Sequence, residues 1–118
     1  MTDLSPGSVV WVQLDPTVGR EQQGTRPAVV IASRGYLRAV PDLAIIVPAT
    51  TRDRGWPHHI RLTGTGLKLV KPSWAMTEQL RTISRQRITG AAGNVDDACL
   101  QQLSRWLDDF LHRAQTVT

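Results

Sequence analysis

The stretch DPTVGREQQGTRP, residues 15–27, carries a carboxylate and a guanidinium five positions apart, Glu21 and Arg26. Such a pair could cleave RNA without a metal. The substrate's own 2′-hydroxyl can attack the adjacent phosphorus if a base takes its proton. An acid must protonate the departing 5′-oxygen, and a cation must meet the charge that builds on the phosphoryl oxygens. A carboxylate can be that base, and a guanidinium can give two hydrogen bonds to a phosphate. A hydroxyl, such as that of Thr50, can add a third donor. On residue chemistry alone, a surface salt bridge within a loop is the plainer reading of the pair.

Other chemistries find less support. HExxH, CxxC and clustered carboxylates are absent from the sequence. His58 and His59 are adjacent, and neighbouring side chains of a strand point to opposite faces, so both are not expected in one site. The same reasoning weakens a ribonuclease mechanism built on two histidines, although either one could touch a ligand. Nucleophile-elbow, P-loop and dinucleotide fingerprints are missing, and Gly19 and Gly24 lie in a loop that opens no helix. The expectation is no metal ligands and no cofactor.

The elements that must position these residues are short. SVVWVQL, Ser8 to Leu14, reads as a strand preceded by the turn signal Pro6-Gly7. PAVVIA, Pro27 to Ala32, is a second, with a β-branched run that suggests burial on both faces. LAIIV, Leu43 to Val47, is a third, stopped by Pro48, and Arg34 to Asp42 reads as a polar connection. Shorter strands are expected at His59 to Leu62, Ser73 to Met76 and Leu80 to Ile83, with polar loops at Thr50 to Pro57 and Gly64 to Pro72. From Val95 to Ala114 the apolar residues Cys99, Leu103, Trp106, Leu107, Phe110, Leu111 and Ala114 form one helical stripe, with Asn94 as the expected N-cap. Cys99 falls on that stripe and reads as core packing. The layout is α+β and mainly β: a small antiparallel sheet, curled toward a barrel, with one C-terminal amphipathic helix.

The length of 118 residues suits one domain spanning 1–118, large enough to bury a core without staples. Net charge is +4, split as +6 over residues 1–90 and −2 over 91–118. The basic excess is a modest footprint for a polyanionic partner. A lone cysteine excludes an intrachain disulfide and fits a reducing cytosol. The N-terminus MTDLSPGS shows no signal peptide, and the apolar runs are far below the ~20 residues of a membrane span. A cytoplasmic protein without membrane contact is expected.

DPTVGREQQGTRPAVVI, with Trp11 on the preceding strand, resembles the signature of the MazF/PemK family of toxin endoribonucleases. Asp15, Pro16, Gly19, Glu21, Gln22, Gly24, Arg26 and Pro27 all fall in place. VPATTRDRGWPHHIRL, residues 47–62, and SWAMTEQLRTISRQRI, residues 73–88, are similar to two further family segments, in the same order. The resemblance implies a CcdB/MazF-type fold, a small SH3-like antiparallel β-barrel with a C-terminal helix, that forms a homodimer. It implies metal-independent, sequence-specific cleavage of single-stranded RNA, whether mRNA, rRNA or tRNA, with inhibition of translation and growth and neutralisation by a cognate antitoxin. Arg26 would be the phosphate stabiliser and proton donor, Glu21 the candidate base, and Thr50 a phosphate hydrogen-bonder. Arg20, Gln22, Thr51, Arg52, Arg54, Trp56, Gln79 and Arg81 would contact RNA, and Lys68, Lys71, Arg85 and Arg87 are further basic candidates.

Two departures stand out. Arg20 occupies a position usually held by Ser and would lower the pKa of Glu21, making it a poorer base. Glu78 replaces a usual Asp before Gln79. Two other functions fit the fold: a CcdB-like gyrase poison acting by protein contact, against which the Glu21–Arg26 motif argues, and a catalytically silent nucleic-acid-binding module.

Overall fold

The computed structural model describes residues 3–14 and 25–112. Its elements in chain order are β1 (Ser8–Gln13), β2 (Thr25–Val30), α1 (Arg34–Ala39), β3 (Leu43–Thr50), β4 (His59–Arg61), β5 (Trp74–Met76), β6 (Arg81–Ser84), β7 (Ile88–Asn94) and α2 (Asp97–Leu111). Two 3-10 turns, Thr77–Gln79 and Arg85–Arg87, precede β6 and β7. The strands form one seven-stranded antiparallel sheet in the order β4-β5-β3-β2-β1-β7, with β6 also paired to β3.

Strand alternation divides the apolar residues between two faces. On one face Val9, Val29, Val47 and Ala49 join Cys99, Leu103 and Leu107 of α2 in a buried cluster. On the other, Val10, Val12, Ala28, Val30, Ala44 and Ile46 cluster with Leu37 of α1. The continuous apolar runs of β1 and β2 therefore serve two cores, as expected for PAVVIA.

β3 divides one edge between two partners. It pairs β6 from Leu43↔Ser84 to Ile46↔Arg81, and β5 at Ala49↔Ala75 and Thr50↔Trp74. The chain between β5 and β6 is the 3-10 turn Thr77–Gln79. Pro48 was expected to stop this strand, yet β3 runs through it to Thr50. The Ile45 carbonyl accepts from Ile31 of the next segment, so odd residues of β3 bond toward β2 and even residues toward the divided edge. The missing N–H of Pro48 thus points into the gap between the β6 and β5 ladders, where nothing calls on it.

Three further expectations change. Arg34–Ala39 is a short helix rather than a plain connection, because the Ser33 side chain accepts from the Tyr36 N–H and starts it. Ile88–Asn94 is a strand that the sequence reading passed over, its small residues lacking alternation. Asn94 ends that strand, and the N-cap of α2 is Asp96, whose carboxylate accepts from Cys99 N at 2.8 Å. Cys99 is buried, as expected for core packing, and burial pushes its thiol up. Phe110 and Leu111, on the same stripe, are exposed at the end of α2.

The segment after β4 returns to the far edge of the sheet. Lys68 N donates to Ala92 O, and Asp96 N donates to Thr63 O. This curls the sheet toward a barrel and requires bare backbone at the crossing. Gly93 has φ +99°, and a Cβ there would overlap the Gly66 carbonyl oxygen. Gly93→Ala should lower unfolding free energy by at least about 2 kcal/mol in urea titration. Gly66→Ala, whose Cβ would meet nothing within 4 Å, should be close to neutral. Equal effects of the two substitutions would refute this reading of the crossing.

Candidate functional site

Arg26 lies on β2, opposite Val12 of β1, rather than in the loop where it was expected. The β2–β3 ladder runs from Val30↔Ile46 to Ala28↔Pro48. Continuing that register by two residues sets Arg26 across from Thr50. Thr50 in turn faces Trp74, and Trp74 faces Arg61. One row of the sheet thus carries Val12, Arg26, Thr50, Trp74 and Arg61 on a common face.

Pro27 explains why this row is open at its centre. Ile31, just past β2, donates toward β3, while the Val30 carbonyl accepts from Gly7 on the β1 side. Odd positions of β2 therefore bond toward β3, and Pro27 has no N–H to give there. Toward β1 it sits at the Trp11↔Pro27 pair, a position that needs no donor from it. The β2–β3 ladder stops short of Pro27, while the β1–β2 ladder runs through it.

Around the row, the exposed side chains are largely basic. Arg26, Arg52, Arg54, Arg61 and Arg81 are all exposed, as are Thr51 and Gln79. Arg81 pairs with Ile46 and so shares the face of Arg26 and Thr50. Thr50 Oγ1 accepts from Arg52 N at 3.1 Å, which begins the turn out of β3 and leaves the hydroxyl proton as its donor. Asp53 Oδ1 accepts from Gly55 N at 2.9 Å and fixes the next turn. The Arg54 guanidinium lies 5.2 Å from the Trp56 ring centroid, and Arg61 lies 5.8 Å from that of Trp74. Glu21, Arg20 and Gln22 lie outside the described residues.

Two basic candidates are structural instead. Arg85 donates through Nε to Leu43 O at 2.8 Å and through its guanidinium to the carbonyls of Leu37 and Val40, closing the end of α1. Arg87 donates to Gln13 O and Leu14 O, both at 3.0 Å, and holds the end of β1 where the 15–24 segment begins. A cavity of about 690 Å³ is lined by Leu4, Val10, Asp42, Arg85 and Ile88 among others. None of its lining residues is Arg26 or Thr50, whose row, with exposed basic residues around it, is the candidate site.

The histidine pair overturns the alternation argument. β4 begins at His59, so His58 belongs to the turn after Pro57 and is not bound by strand geometry. Both rings reach one carboxylate: His59 Nε2 lies 3.0 Å and His58 Nε2 3.4 Å from Glu78 Oε1. Thr77 Oγ1 donates to His58 O at 2.7 Å and ties the turn to the segment carrying Glu78. Trp56, 46% exposed, stacks on the His58 ring at 5.5 Å and meets His59 edge-on at 4.8 Å. The signal available in sequence was Pro57, which delays the strand past His58.

Partial burial raises the Glu78 pKa, but the hydrogen bond from His59, a backbone hydrogen bond and the charges of the two histidines outweigh it. The carboxyl is held below its ordinary value of 4.5. A depressed folded pKa gives stability that is present above 4.5 and lost as pH falls through the lower folded value. Urea unfolding of wild type at a series of pH values should therefore show a loss of stability on the acid side that Glu78→Gln lacks. Parallel curves for the two proteins would contradict the assignment.

The chain is similar to known proteins in sequence and in fold. The family model described as "PemK-like, MazF-like toxin of type II toxin-antitoxin system" matches residues 5–111. The endoribonuclease toxin MazF of Escherichia coli strain K12 is 35% identical over 78 residues, 66% of each chain. The endoribonuclease EndoA of Bacillus subtilis is 29% identical over 102 residues, covering 86% of this chain and 88% of that one. A crystal structure of MazE-MazF from Deinococcus radiodurans superposes with TM-score 0.74 at 25% identity, covering 91% of this chain and 94% of that chain. The fold, the order of its segments and the match over residues 5–111 place the chain in the PemK-like, MazF-like toxin family of type II toxin–antitoxin systems.

Proposed function

We propose that this protein is an endoribonuclease toxin that cleaves single-stranded RNA at the Arg26–Thr50 row. The observation that supports the reading is the β2–β3 register, which ends at Ala28↔Pro48 and, continued by two residues, sets Arg26 across from Thr50. Family membership and relatives named as endoribonucleases support it.

In this mechanism the substrate's 2′-oxygen attacks the adjacent phosphorus, and the bond from phosphorus to the 5′-oxygen breaks. The products are a 2′,3′-cyclic phosphate and a 5′-hydroxyl. Arg26 gives two hydrogen bonds to the phosphoryl oxygens as their charge grows. The Thr50 hydroxyl, already accepting from Arg52 N, donates its proton to the same phosphate. Glu21 takes the proton of the 2′-hydroxyl, and Arg26 or water delivers one to the leaving oxygen. No metal enters the chemistry. The exposed Arg52, Arg54 and Arg81, with Thr51, Gln79, Arg20 and Gln22, line the path of the strand, and Trp56 offers a face for a base. A cognate antitoxin neutralises the toxin, which acts as a homodimer in the cytoplasm. The basic face suits an acidic antitoxin segment as well as it suits RNA. Among the described residues, no helix is long and apolar enough to cross a membrane.

A fluorogenic single-stranded RNA tests the reading. The protein should cut it in EDTA, and a 2′-deoxy nucleotide 5′ of the scissile bond should stop the reaction. Arg26→Ala should reduce the single-turnover rate by about 10²–10³ with unfolding behaviour unchanged. Arg26→Lys should not restore the rate, because a point charge lacks the planar fork. Cleavage of the 2′-deoxy substrate, or none of the parent RNA, would overturn the mechanism.

A further inference from the structure

We propose that His58, His59 and Glu78 form a binding site for a divalent transition-metal ion of the zinc class, separate from the Arg26–Thr50 row. The two histidines and the carboxylate each offer one ligand atom, and these atoms lie within 4.8 Å of one another. A tetrahedral ion with bonds of about 2.0–2.2 Å spaces its ligands about 3.3 Å apart. The edges from Glu78 Oε1 to His59 Nε2 and to His58 Nε2 are already 3.0 and 3.4 Å. The third edge, between the two histidines, is within 4.8 Å and would close by up to about 1.5 Å on binding. Three protein ligands would leave a fourth position for water.

The site is organised before any ion arrives. His58 stacks on Trp56 at 5.5 Å and meets Trp106 and Phe110 of α2 edge-on at 6.0 and 5.9 Å, so the loop before β4 and α2 together fix its plane. His59 is held by its register with Met76, and its side chain is 1% exposed. Its Nδ1 is buried without a hydrogen-bond partner among the described residues. Metal binding at Nε2 would displace the proton it now shares with Glu78, with no bond at Nδ1 to break. Imidazole nitrogens with one carboxylate favour zinc-class ions over magnesium or calcium.

The position gives the ion a consequence. By strand spacing and rise, His59 lies roughly 12 Å from Thr50, two strands and two residues along the sheet away. An ion would fasten the turn at His58, which follows Arg52, Arg54 and Trp56, to the 3-10 turn that carries Gln79. It would act on the order of that loop and not on the reacting atoms.

The test uses the full chain freed of metal and titrated with Zn²⁺ alone by calorimetry, with Co²⁺ as a spectroscopic probe. One Zn²⁺ per chain should bind, and Co²⁺ should give the intense visible bands of a tetrahedral site. His58→Ala and Glu78→Gln should each weaken Zn²⁺ by at least about 10-fold and remove the Co²⁺ bands. Both replaced side chains are partly exposed, and circular dichroism confirms that the variants are folded; His58→Gln replaces His58→Ala if that variant is not. His112→Ala should bind as wild type does, since the His112 ring pairs with Asp108 and is not among the three ligands. Absence of stoichiometric binding, binding indifferent to both His58 and Glu78, or binding lost in His112→Ala would each overturn the site. Because the readout is metal binding, failure here leaves the RNA-cleavage reading untouched.

Discussion

Pro27 withholds one hydrogen bond from β3, and the site depends on that omission. Toward β1 the proline occupies a pair that asks for no donor, so β2 stays anchored on that side. Toward β3 the ladder ends at Ala28↔Pro48, leaving Arg26 and Thr50 facing each other without a backbone ladder between them. A second proline, Pro48, sits where β3 changes partners from β6 to β5. Both prolines lie inside strands, and each is tolerated because its missing N–H points where the sheet is already interrupted.

The rest of the molecule makes that interruption affordable in structural terms. Two buried clusters hold β1, β2 and β3 from both faces, with α2 on one and α1 on the other. Arg85 and Arg87 spend their guanidinium groups on backbone carbonyls, one closing α1 and the other fixing the end of β1. The exposed Arg26, Arg52, Arg54, Arg61 and Arg81 remain available to a polyanion. Bare backbone at Gly93 lets the segment after β4 reach the β7 side and draw the sheet's edges together.

Much of this was legible in the sequence because β-branched runs, proline punctuation and a helical stripe are local signals. SVVWVQL, PAVVIA and LAIIV each became a strand, and the stripe from Cys99 to Leu107 became the buried face of α2. Arg26 and Thr50 are candidates through the family resemblance, but their nearness across strands was not legible, because register is a property of paired strands. What escaped depends on contacts distant in sequence. β7 is made of small residues whose strand character comes from pairing with β1. α1 rests on a single serine cap. The His58–His59–Glu78 cluster was hidden by applying strand alternation one residue too early. Arg85 and Arg87 looked like any other surface cations until their carbonyl partners were known.

The central claim is that Arg26 and Thr50 act on one phosphate as a unit. A double-mutant cycle with Arg26→Ala and Thr50→Val, read as single-turnover cleavage of a short single-stranded RNA, measures this directly. Groups that share one phosphoryl centre should be strongly non-additive, with a coupling of about 1 kcal/mol or more and a double variant little worse than the weaker single one. Rate losses that multiply independently would show that the two side chains do not meet at one phosphate and would contradict the account.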